Sequence, residues 1–192
     1  WKWFLDWPEI PDLPPYPRFG TRLCIDQPMR PIEASYSAQQ LARRSVNAIM
    51  LSHHLVSPRK RLYRLTDDMI GCSGFGGAFG KDDRSAPKMP MLQNFRFSLC
   101  PENSIGDGYI TEKIPEAFYS GCVPISWCRP EDLAEDFNPR AVLNLYGLND
   151  DECLEVLQHL KTDSGFYKSF IREPLLLKKP SLTPLLNFIH GP

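Results

Sequence analysis

No apolar run in this 192-residue chain approaches the roughly 20 residues that a membrane-spanning helix needs. Charge of one sign is not in excess either. Lys and Arg number 22 against 23 Asp and Glu, a formal net charge of −1, so nothing points to nucleic acid or to a strong basic membrane patch. The six cysteines, at 24, 72, 100, 122, 128 and 153, include no CxxC pair, which argues against a zinc ribbon. Their spacing gives no disulfide framework, and no Asn-x-Ser/Thr acceptor occurs. Both absences lean toward a reducing compartment, so the expected location is the cytoplasm or the periphery of a membrane. No signal peptide is visible, and residue 1 is Trp rather than Met, which points to a fragment or a missing start. There is no internal repeat.

A hydrophobic content of 42% suits a globular core, and the length suits one domain or slightly more. The most informative stretch runs from Phe95 to Trp127, FRFSLCPENSIGDGYITEKIPEAFYSGCVPISW. Phe95, Phe97 and Leu99 alternate, which predicts a strand with one buried face. Polar Glu102, Asn103 and Ser104 follow where such a strand would end. Ile105-Gly106-Asp107-Gly108 turns the chain, and 109–113 enters a helix that turns Ile114, Ala117 and Phe118 inward. Gly121 suits a left-handed stop, and Cys122 to Trp127 reads as the next strand. Such a β-loop-α-β unit places ligands at the carboxyl ends of its strands and anions near the helix start.

Asn103 offers amide donors and an acceptor there, and Tyr109 a ring face and a hydroxyl. Glu112 can accept from paired sugar hydroxyls, and Lys113 brings a positive charge to a phosphate. Taken alone, Glu112 and Lys113 also read as a solvated first helical turn.

The rest of the chain alternates similar elements. Residues 1–19 carry five prolines and three tryptophans, which predicts an extended connector packed by its aromatics, with a carbohydrate-stacking platform as the second reading. Arg22 to Ile25 predicts a short strand, Ala38 to Arg44 a short helix, and Val46 to Leu51 a buried parallel strand. His53 and His54 point different ways on an extended chain and make a poor metal pair. Ser57 is expected to cap the next helix, with Pro58 in its first turn and Arg59, Lys60, Arg61 and Arg64 along it. Met69 to Lys81 is glycine-rich but fails both phosphate-binding patterns, since Phe75 and Asp82 break one and Phe79 the other. A flexible loop after a short strand is expected there, then a polar loop from Asp82 to Pro90. Residues 129–133 predict a loop and short turn, and Arg140 to Leu145 a small strand. Asn149 or Asp150 should cap a helix to about Thr162, with Leu154, Leu157 and Leu160 on one side. Another helix begins at Ser164 and stops before Pro174. The tail, LLLKKPSLTPLLNFIHG, predicts a helix docked on the body, with a membrane-surface contact as the second reading.

Alternating strands and helices give an α/β fold with a mostly parallel, Rossmann-like sheet flanked by helices. Three segments are expected: 1–44, a connector; 45–174, the Rossmann-like domain; and 175–192, a tail.

Glu102-Asn103-Ser104, Gly108-Tyr109-Ile110-Thr111-Glu112-Lys113-Ile114, Pro124-Ile125 and Asp136-Phe137-Asn138 together resemble the signature of the α-1,3-fucosyltransferases, glycosyltransferase family 10. The likeness is strong over Phe95 to Asn138 and weaker over Val46 to Arg64. Pro101 departs from it, because the family usually has an aromatic or aliphatic residue there. The resemblance implies the C-terminal, donor-binding half of a GT-B glycosyltransferase, with 45–174 as its GDP-sugar-binding domain and 1–44 as a connector or a remnant of the N-terminal half. About 45 residues precede Val46, too few for a second half when one βαβ crossover takes about 30. It also implies transfer of fucose from GDP-fucose to an acceptor oligosaccharide with inversion. No cofactor is required, and no Asp-x-Asp metal motif lies near the site. In the family an arginine just ahead of a Leu/Phe-Tyr pair binds the donor diphosphate, a register that selects Arg59, with Arg61 as the fallback. The implied donor-binding set is therefore Arg59, Asn103, Tyr109, Glu112 and Lys113. The catalytic base belongs to the family's N-terminal half, and no motif here corresponds to it. A non-catalytic nucleotide-sugar-binding remnant and a transferase for another nucleotide sugar stay open.

Overall fold

The computed structural model describes residues 29–81 and 88–178. The Trp- and Pro-rich stretch 1–19, the expected strand at Arg22 to Ile25 and the tail beyond Lys178 lie outside the described residues.

Five strands form one sheet in the order β2-β1-β3-β4-β5: β1 (Ser45–Leu51), β2 (Cys72–Phe75), β3 (Phe95–Pro101), β4 (Val123–Trp127) and β5 (Leu143–Asn144). Every pairing is parallel, with Ile49 opposite Ser98 and Leu99 opposite Ile125. The α/β, mostly parallel expectation therefore holds. The chain leaves β1 toward β2 at one edge and then returns to place β3 on the other side of β1. Loops after β1 and after β3 thus diverge at the carboxyl edge and leave a crevice between them, the usual ligand position in open α/β sheets.

β3 is central, and this corrects the expectation of a single buried face. Phe97, Ser98, Leu99 and Cys100 are all 4% exposed or less. A strand paired on both sides and covered by helices buries both faces, and small Ser98 and Cys100 fill the second one. Pro101 is the last residue of β3, opposite Trp127, so a residue lacking an N–H stands at the end of the ladder.

The helices are α1 (Ile32–Ser35), α2 (Ala38–Arg43), α3 (Arg59–Ile70), α4 (Lys88–Leu92), α5 (Lys113–Tyr119), α6 (Pro130–Asp136), α7 (Asp150–Thr162) and α8 (Ser164–Ile171). Capping boxes start two of them, Ser37 with Gln40 on α2 and Asn149 with Glu152 on α7. α3 begins with Pro58 in the cap position and no side-chain cap, so Ser57 does not play the part expected of it. On α7 the buried stripe is Cys153, Leu157 and Leu160, while Leu154 is only half-buried.

Three further expectations are corrected. Residues 130–136 form helix α6, favoured by Pro130 at its start and by Glu131 and Asp132 in its first turn. Lys88 to Pro90 belong to α4, which Met89 and Leu92 anchor in the core. The short strand expected in the glycine-rich stretch is present as edge strand β2, and glycine in and just after it permits close approach. A Cβ at Gly74 would lie 2.3 Å from the Phe79 ring, and one at Gly76 would lie 2.4 Å from the Ser52 carbonyl oxygen. β5 is shorter than the strand expected over Arg140 to Leu145, because Pro139–Ala141 makes a 3-10 turn first.

Phe97, Phe118, Ile49, Ile114 and Ile125 form the centre of the core, each contributing about 1.5–3 kcal/mol by burial. α5 packs on β3 and β4, and α3 packs on α7. Leu175 and Leu176 are buried, and the Leu175 carbonyl accepts from the Asn138 N–H at 2.8 Å. Among the described residues no helix is long and apolar enough to cross a membrane.

Candidate functional site

The crevice between the β1 and β3 loops gathers polar side chains from three places. Arg59 is the first residue of α3, Glu102 and Asn103 directly follow β3, and Thr111 and Lys113 stand at the mouth of α5. Arg59 Nη1 donates to Asn103 Oδ1 at 2.7 Å. Lys113 Nζ donates to Glu102 Oε2 at 2.6 Å and to Thr111 Oγ1 at 2.7 Å. Glu102 also accepts from the Thr111 N–H at 2.8 Å and lies 2.9 Å from the Thr111 hydroxyl. Two cations thus converge on one short polar segment after the central strand.

Burial makes these contacts matter. Glu102 is 2% exposed and Arg59 is 5% exposed. Burial lowers the pKa of the Arg59 guanidinium from its ordinary value, and the negative charge of Glu102 offsets part of that. Arg59 Nε is buried with no hydrogen-bond partner. Glu112 caps α5 in helical conformation. Burial pushes its carboxyl up, but its own backbone N–H, Lys113, Lys88 and Thr111 outweigh burial and hold it below the usual carboxylate range.

The loop from 104 to 111 forms the rim. Gly108, at φ +65°, donates its N–H to Asp132 Oδ1 at 3.0 Å. Arg129 bonds both Asp132, at 2.8 Å, and Asp107, at 2.6 Å. The rim is therefore latched to the start of α6. The Arg129 and Gly108 bonds hold the Asp132 carboxyl below its ordinary value.

Of the five residues expected at the site, Arg59, Asn103 and Lys113 come together, and Glu112 stands beside them. Tyr109 is 40% exposed on the rim, with its N–H on the Gly106 carbonyl at 3.1 Å. The fallback, Arg61, points elsewhere. Its Nε binds Asp150 at 2.6 Å and its Nη2 binds the Leu148 carbonyl at 3.0 Å, tying α3 to α7. Glu102 and Thr111, which bind Lys113 directly, were not expected to hold the site. The sequence signals for Glu102 were its position directly after an apolar strand and its place in the Glu102-Asn103-Ser104 signature. Lys88 was missed too: it pairs with buried Glu116 and its charge reaches Glu112, but its sequence neighbourhood reads as loop. Among the described residues no cluster of three or more His, Cys, Asp or Glu side chains could hold a metal ion.

A profile of glycosyltransferase family 10 (fucosyltransferase), C-terminal region, matches residues 41–173. The chain belongs to that family. It is 38% identical over 87 residues to the alpha-(1,3)-fucosyltransferase FucT of Helicobacter pylori, covering 45% of this chain and 18% of that protein. It is 32% identical over 81 residues to the human 4-galactosyl-N-acetylglucosaminide 3-alpha-L-fucosyltransferase 9, covering 42% of this chain and 23% of that one. A solved alpha1,3-fucosyltransferase with GDP-fucose superposes with a TM-score of 0.66 at 27% identity, over 79% of this chain and 47% of the other. The chain thus spans less than half the length of each of these relatives.

Proposed function

We propose that this chain is the donor-binding half of a fucosyltransferase that moves fucose from GDP-fucose to a hydroxyl of an acceptor glycan with inversion. The observation that carries the reading is the convergence of Arg59 and Lys113 beside Asn103, at the crevice where β1 and β3 diverge. Family membership and a structural relative solved with GDP-fucose support the donor.

The difficult part of such a transfer is separating a diphosphate from a sugar that becomes oxocarbenium-like. Negative charge grows on the departing phosphate, so fixed cations there favour the transition state over the ground state. Lys113 and Arg59 are assigned to the diphosphate. Glu112, held ionised beside them, is assigned to hydroxyls of the donor, ribose first. Asn103 and Tyr109 orient the nucleotide or fucose, Asn103 from a fixed position against Arg59 and Tyr109 from the rim. No group of this chain is assigned as the base that takes the acceptor proton, so the chain alone is expected to bind the donor and transfer poorly.

Calorimetric titration with GDP, GDP-fucose, GDP-mannose and a UDP-sugar tests the reading. Saturable heats for GDP and GDP-fucose, with weaker or no response to the UDP-sugar, are expected. Absence of heat with GDP at about millimolar ligand, where binding is worth about 4 kcal/mol, would sink it.

A further inference from the structure

We propose that Glu102 is a positioning residue for this site: a buried carboxylate that presents the Lys113 ammonium to an incoming diphosphate. The inference rests on the donor-binding reading and adds a residue to it. At 2% exposure Glu102 has almost no surface to offer a ligand, so it acts through its neighbours. It binds Lys113 Nζ at 2.6 Å and the Thr111 N–H at 2.8 Å, with the Thr111 hydroxyl at 2.9 Å. Lys113 itself keeps 16% of its side chain exposed, the one part of the pair that faces outward.

The arrangement solves two problems of a cation at the mouth of a seven-residue helix. A lysine has a long flexible stem and loses rotamer freedom when it is held. Holding it against Glu102 before the ligand arrives removes that cost from binding. A second carboxylate, Glu112, is adjacent in sequence and feels the charge of Lys113. Without Glu102, Glu112 offers Lys113 an alternative anion, and pairing there would withdraw both groups from the donor. The bonds to Thr111 meanwhile fix the backbone two residues ahead of Lys113.

Glu102→Gln tests this, because the amide oxygen still accepts from Thr111 while the charge is gone. Two readouts are needed. In the ligand-free protein, acylation of Lys113 followed by mass spectrometry should run about fivefold faster in the variant. In titrations the variant should lose about tenfold in GDP affinity, as expected for one charge-assisted contact, with guanosine binding unchanged. In a Lys113→Met background the same substitution should change GDP affinity by less than about twofold, because the residue it acts through is gone. Glu102→Asp, which keeps the charge, should fall between wild type and Glu102→Gln, and it serves if the glutamine variant does not fold. Tighter or unchanged GDP binding by Glu102→Gln, or an equal loss in the Lys113→Met background, overturns the proposal. Failure of the wild-type protein to bind GDP removes the donor reading and this role with it. Wild-type binding with no loss in the variant removes only the role of Glu102.

Discussion

Replacing Arg59 with methionine removes one of the two cations while keeping an apolar stem of similar length. A unit charge about 4 Å from a phosphate oxygen is worth about 4 kcal/mol at an effective dielectric of 20, as a ceiling. Glu102 already draws on the field of Arg59, and the Asn103 bond occupies one of its nitrogens at 2.7 Å. Halving the ceiling for that compensation leaves about 2 kcal/mol, or about a thirtyfold rise in Kd for GDP. Guanosine lacks the diphosphate, so its affinity should move by less than about twofold. Isothermal titration of wild type, Arg59→Met and Arg59→Lys with both ligands measures this, after near-ultraviolet circular dichroism has established that each variant is folded. The lysine variant should recover part of the loss, because it restores charge but not the planar fork. A folded Arg59→Met protein with wild-type GDP affinity would refute the reasoning.

Gly121→Ala tests the packing beneath α5. Gly121 has φ +84°, and a Cβ there would lie 2.6 Å from Arg44 Nη2 and 2.7 Å from Tyr36 Cε2. The left-handed backbone costs about 1–2 kcal/mol, and displacing Arg44 from the Ser120 carbonyl adds about as much, so thermal denaturation should show a loss of about 3 kcal/mol. Asp132→Ala should free the Gly108 N–H and leave Arg129 held only by Asp107, giving faster hydrogen exchange across 106–110 with a smaller loss of GDP affinity than Arg59→Met. Stability should also fall in alkali. Burial pushes the Cys72 and Cys100 thiols up to about 12, and Cys122 upward as well. Thiols of the unfolded chain ionise near 9, so this stabilisation is complete below that pH and is lost as pH rises toward 12. By pH 10 each thiol should cost about 1.4 kcal/mol, and denaturant titrations of Cys100→Ala should show a shallower decline than wild type.

Much of this architecture was legible in the residues, for reasons that differ by element. Strands β1 and β4 are short apolar runs between turn signals, and α7 opens with an Asn-x-x-Glu box, so local chemistry alone defines them. The stop at Gly121 was legible because only glycine takes that φ at little cost. What failed depends on neighbours distant in sequence. The second buried face of β3 follows from strands and helices packed around it, which an alternation pattern does not contain. α4 and α6 are short helices whose prolines and charges read equally as loop until Met89, Leu92 and Leu133 find the core. At the site, Arg59 and Lys113 were legible as cations near helix starts. Their meeting was not, because Arg59 reaches Asn103 only once β1 and β3 lie side by side. Arg61, two residues from Arg59, is turned by helical geometry toward Asp150 on α7.

The central claim is that the end of β3 and the mouth of α5 form a seat for a diphosphate. Phosphorus NMR of GDP titrated with the protein tests it most directly. The account predicts that both phosphate resonances shift or broaden saturably on binding, and that the change is lost in an Arg59→Met, Lys113→Met double variant. Binding that leaves the phosphate resonances unmoved, or that persists undiminished in the double variant, would contradict it.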